Sequence, residues 1–93
     1  MRAIWNDTVL AESDDTIVVE GTHYFPASVL ASEFIEPSGH STVCSWKGTA
    51  SYYDVVVNGD RNRNAVWYYA DPMNGAEQVR DRVAFWQGVR VVD

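Results

Sequence analysis

Cysteine is almost absent. Cys44 stands alone among 93 residues, which excludes an internal disulfide and any Cys-x-x-Cys metal or redox pair. Histidine is nearly as scarce, and His23 and His40 are spaced from Cys44 and the acids in no compact metal motif, so neither a metal nor a cofactor is expected. No run approaches the ~18 apolar residues of a membrane span, and the first residues lack the apolar core of a secretory signal. A cytoplasmic, reducing setting with no membrane partner is therefore expected. The six glycines are scattered and form no phosphate-cradling loop. No nucleophile elbow surrounds a serine. Cations are few as well: seven Lys and Arg against thirteen Asp and Glu give a net charge of −6. That balance argues against a nucleic-acid backbone as partner.

What is present is apolar and aromatic. Hydrophobic residues make up 46% of the chain and aromatic ones 13%. The length predicts a single domain over residues 1–93, which buries about 60–65% of the surface its unfolded chain exposes. One core with one shallow pocket is the expected ceiling. The charge is uneven: residues 1–60 hold two cations, Arg2 and Lys47, against nine acids. Lys47 is thus the sole cation between Arg2 and Arg61.

Short β-branched runs at close spacing dominate. Thr8–Glu12 and Thr16–Glu20 read as a hairpin joined by Ser13-Asp14-Asp15, with the loop length deciding whether Glu12 and Glu20 share a face. Thr22–Phe25 extends the sheet after Gly21. Pro26–Leu30 suits a single helical turn with Pro near its start. Ser41–Val57 reads as one long strand broken or bulged at Gly48. Asn58-Gly59 is the strongest turn signal, and Asn64–Tyr69 returns from it. A helix of about two turns is expected from Asn74, with Ala76, Val79 and Val83 on one face. Ala84–Trp86 and Val89–Val92 close the structure around Gly88. The sum predicts a mainly β fold, a strongly bent antiparallel sheet or partial barrel with one or two short helices.

Chemistry concentrates in Cys44–Tyr53. On a regular strand Trp46, Gly48, Ala50 and Tyr52 share one face, and Lys47, Thr49, Ser51 and Tyr53 the other. The first face alternates bulky and small residues and leaves room for a ring. The second offers an ammonium beside hydroxyls, suited to an anionic or polar ligand. In the alternative, Trp46 and Tyr52 fill the core and Lys47 reaches to water. Either way the small neighbours of Trp46 predict a buried indole whose truncation costs about 3–5 kcal/mol. Cys44 suits a small buried hydrophobe better than a nucleophile. Trp67 and Tyr69 form a second aromatic strip on the returning strand. A groove walled by these rings, with Lys47 and a Glu at its rim, is the default ligand site.

The strings Glu20-Gly21-Thr22-His23-Tyr24-Phe25-Pro26, Cys44-Ser45-Trp46-Lys47-Gly48-Thr49-Ala50-Ser51-Tyr52-Tyr53, Ala65-Val66-Trp67-Tyr68-Tyr69 and Arg82-Val83-Ala84-Phe85-Trp86 resemble the Domain of Unknown Function 427 family. These are small bacterial and fungal proteins, sometimes grouped as nucleotidyltransferase-like. The chain departs from the family pattern at Ser45, where a Pro is usual, and at Ala70, where Pro is delayed to position 72. Neither departure touches Glu20, Tyr24, Trp46, Lys47 and Tyr52, the residues expected to carry a site, and the resemblance names a family without giving it a function. Nucleotidyl transfer would call for carboxylates holding metal ions near a phosphate loop, and Asp14-Asp15 reads instead as ordinary turn chemistry.

Three functions follow as expectations. The first is binding of a small polar or anionic ligand by Glu20, Tyr24, Trp46, Lys47, Tyr52, Trp67 and Tyr69. The second is an enzyme using Lys47, with Cys44 or Glu20, as nucleophile or acid–base group. The third is an interaction module meeting a protein partner or its own copy, with a homo-oligomer compatible with the sequence.

Overall fold

The structure is a computed structural model describing residues 1–93. Nine strands run Arg2–Trp5 (β1), Thr8–Glu12 (β2), Ile17–Val19 (β3), Thr22–Pro26 (β4), Ile35–Cys44 (β5), Gly48–Val57 (β6), Asp60–Tyr69 (β7), Arg82–Phe85 (β8) and Arg90–Val92 (β9). They form two antiparallel sheets, β2-β1-β9 and β3-β4-β8-β7-β6-β5. The barrel does not close. Helix is limited to single 3-10 turns at Ala27–Val29, Ser32–Phe34 and Glu77–Val79. No helix is long and apolar enough to cross a membrane.

Tight turns set the strand pairs. Asn58-Gly59 joins β6 to β7 with both residues at positive φ, 52° and 83°, the backbone that Asn-Gly supplies most readily in a two-residue hairpin. Glu20-Gly21 does the same between β3 and β4, at 52° and 78°. Ser13–Asp15 does not make the expected hairpin. β2 instead turns back on β1 through Asn6-Asp7, and the segment after Glu12 crosses to the other sheet. The physical reason is turn chemistry on the other side of β2: Asn6 and Asp7 sit at φ 53° and 58°, a left-handed pair that Asn and Asp tolerate, so β2 pairs back on β1.

The long strand expected from Ser41 to Val57 is two strands. β5 ends at Cys44, Ser45–Lys47 forms a turn, and β6 begins at Gly48 with Cys44 opposite Gly48. The two-turn helix expected from Asn74 is a single 3-10 turn. Gly75 at φ +94° interrupts the segment, and its N–H donates to the Glu77 carboxylate at 3.0 Å. Val79 and Ala76 are buried there, whereas Val83 lies in β8 and enters a different cluster.

The six-stranded sheet buries both faces. One packs Phe25, Val55, Val57, Val66, Val83 and Phe85 against Ala3, Leu10 and Ala11 of the smaller sheet. The other carries Tyr24, Ala50, Tyr69 and Ala84 and is partly covered by Ala76 and Val79. A polar pin holds the bend in β6. Asp54, 5% exposed, accepts from the Asn64 N–H and from Arg61, both at 2.8 Å, where the pairing with β7 shifts register. Burial pushes its carboxyl up, but these donors outweigh it and leave it below the ordinary 3.8. Its contribution therefore holds above that pH and fades as pH falls through the lowered value. Asp54→Ala is expected to cost about 1–3 kcal/mol in urea unfolding at neutral pH, because a partly buried N–H and a cation lose their acceptor.

Candidate functional site

The Ser45–Lys47 turn throws Lys47 back across the second sheet face. Two contacts fix that turn from behind. The Met73 N–H donates to the Lys47 carbonyl at 2.9 Å. Gly48 sits at φ +114°, a backbone that L side chains rarely adopt, with the Asp71–Met73 backbone in contact beside it. Lys47 is consequently 8% exposed, an unusual state for a lysine without a partner. Its ammonium pairs with the Glu20 carboxylate from the β3–β4 turn. It also lies 5.3 Å from the Trp46 ring centre and 5.6 Å from that of Tyr69.

The ionisation states follow. Burial works against the Lys47 charge, but the Glu20 hydrogen bond and the fields of Tyr24, Tyr69 and Glu20 outweigh it and raise the group above 10.5. The Lys47 hydrogen bond, against some burial, holds Glu20 below 4.5. Burial pushes the Tyr69 phenol up to about 12 despite the nearby ammonium. The Trp46 N–H is the main cause of a lowered Cys44 thiol, with burial opposing it.

Lys47, Tyr52, Trp67, Tyr69 and Trp86 line a cavity of about 220 Å³. The strand register explains the grouping: Tyr52 lies opposite Trp67 and Ala50 opposite Tyr69. Trp86 stands edge-on to Trp67, with centres 6.0 Å apart at 83°. Several walls are locked. The Tyr52 hydroxyl shares a hydrogen bond with Thr42 at 2.9 Å, His40 packs on the Tyr52 ring, and the Trp67 indole donates to the Tyr24 hydroxyl at 3.2 Å. A larger cavity of about 400 Å³ on the opposite face is lined mainly by Leu30, Ile35, Tyr53, Tyr68 and Val83. Its one guanidinium, Arg82, is already bound to Asp15 and the Tyr24 carbonyl. Arg82 has three acceptors there, whereas Lys47 has one, the Glu20 carboxylate, so the smaller cavity holds the ionic group whose N–H donors are less engaged.

Of the residues expected from sequence, Lys47, Tyr52, Trp67 and Tyr69 meet in this cavity and Glu20 reaches it through the ion pair. Tyr24 is buried beneath it, 1% exposed, and supports Trp67 rather than facing the opening. Cys44 packs half-buried beside the second cluster. Trp46 is a correction. It is 38% exposed, because it sits at the middle of the turn and not on a strand face. The turn also moves Lys47 to the Tyr52 side, away from Thr49, Ser51 and Tyr53. Trp46→Ala is accordingly expected to cost only about 1 kcal/mol in thermal unfolding, the scale of a partly exposed cation–π contact. Trp86 was the residue missed. Alternation from the buried Ala84 would have placed it on the Trp67 face.

Fold and site together define a class: a small antiparallel two-sheet domain with one lysine turned inward against aromatic walls. The chain belongs to the domain of unknown function family DUF427, whose family model matches residues 1–93. Comparison with curated proteins found no match.

Proposed function

We propose that residues 1–93 act as one domain that binds a small polar or anionic molecule in the aromatic-walled cavity at Lys47. The observation that carries this is Lys47 itself, 8% exposed as a residue and lining a concave space. The Ser45–Lys47 turn, held by the Met73 N–H and by Gly48 in a left-handed backbone, supports that placement. Cavities with apolar walls and one placed polar group are the usual form of small-molecule sites.

The enzyme reading is less well supported for Lys47. A nucleophilic lysine needs a depressed pKa, and Glu20 raises this one. An interaction surface would favour a flat aromatic patch over a cavity. Native mass spectrometry of freshly purified protein tests the binding reading. A retained small molecule that is lost in Lys47→Met supports it. An unliganded protein that also binds no member of a panel of small acids, amides and phosphates overturns it.

A further inference from the structure

We propose that the ligand is a planar ring bearing a single carboxylate, and that Glu20 is the built-in counter-ion this carboxylate displaces. The inference rests on the binding function proposed above and assigns the ligand class and a specificity-determining residue to the same site.

Three observations carry it. The first is volume. A cavity of about 150 Å³ takes a benzene ring, so 220 Å³ takes one ring with a small substituent. Three aromatic residues beside Tyr69 supply the stacking surface, with Trp67 and Trp86 at right angles to each other.

The second is charge. Lys47 is the one cation lining this space, and a desolvated ammonium must be matched by one negative charge. Glu20 supplies that charge from within the chain. A ligand monoanion replaces it one for one, while a phosphate dianion would leave one negative charge with no cation in this lining.

The third is the asymmetry between the partners. The Lys47 side chain is 10% exposed and that of Glu20 56%. When the pair opens, the exposed Glu20 rehydrates at less cost than the more buried Lys47. Glu20 also occupies φ +52°, a left-handed backbone that Asn or Gly adopts far more readily. The β6–β7 turn of the same molecule uses Asn58 at that position. A carboxylate kept in a less suitable backbone position, on an exposed tip above a buried ammonium, fits an exchangeable occupant better than a stabilising ion pair.

The test is titration of the parent, Glu20→Gln and Glu20→Asn with benzoate, benzamide and phenyl phosphate, followed by tryptophan fluorescence, with a thermal melt on each protein. Glu20→Asn suits the turn backbone and keeps the test alive where the Gln variant folds poorly. Benzoate is expected to bind both variants about tenfold or more tightly than it binds the parent, with benzamide unchanged. Benzoate binding that is equal or weaker in both folded variants overturns the displacement and leaves the pocket function standing. Phenyl phosphate binding more tightly than benzoate overturns the single-charge match. Failure of all three proteins to bind benzoate overturns the ligand class, and the retained-ligand experiment then judges the pocket independently.

Discussion

Lys47→Met is expected to weaken binding of an anionic ring ligand by about a hundredfold, while shifting the melting midpoint by no more than about 10 °C. Removing one partner of a buried, hydrogen-bonded charge pair costs about 2–5 kcal/mol of affinity, which brackets that loss. Stability is spared for a separate reason. The Met side chain keeps most of the stem's packing, and the orphaned Glu20 is exposed, 56% at its side chain, so no charge is stranded inside. A 1 kcal/mol loss in a domain of this size moves the midpoint by about 4–8 °C. Isothermal titration beside a thermal melt separates the two quantities. A variant that binds as the parent does, or that melts far lower, shows Lys47 to be incidental or structural.

Phe25→Ala is expected to have the largest effect on folding. Phe25 is fully buried, its ring set edge-on to Phe85 at 5.4 Å, in the cluster joining the two sheets. Truncation of such a residue costs about 3–5 kcal/mol. A chain of this length has roughly 5–10 kcal/mol in all, so the variant is expected to be largely unfolded near 37 °C. Circular dichroism melts and urea titrations check this. A change below about 1 kcal/mol would mean that the smaller sheet docks without this contact.

The central hairpin was legible because Asn58-Gly59 accepts only a narrow set of backbones, and the aromatic strips on either side then fall into register. The outer strands were harder. β1 and β9 pair with each other from opposite ends of the chain, and no local pattern reports such a contact. The turn at Ser45–Lys47 was hidden by accident of spacing. The alternation of Trp46, Gly48, Ala50 and Tyr52 runs straight through it, so a strand face was read where the chain reverses. The same error buried Trp46 and sent Lys47 to the wrong side. The short helix failed at Gly75, whose positive φ outweighs the capping pattern of Asn74 and Glu77. An acid beside Lys47 at the groove rim was legible, with Glu20 among the candidates, but that Glu20 is the residue that reaches it depends on how β3–β4 docks through β8.

That docking has a kinetic consequence. β8 is the only strand linking the β3–β4 hairpin to the long β5–β6–β7 meander. Its partners are Phe25 on one side and Val66 on the other, contacts between distant parts of the chain. Each hairpin can form by itself on a microsecond scale, but β8 must close large loops before it gains anything. Glu20 arrives with one hairpin and Lys47 with the other, so the cavity exists only after that late step. Refolding is expected in milliseconds to seconds. A binding signal should lag behind the first strand formation, rising with the final phase of tryptophan fluorescence and not before it.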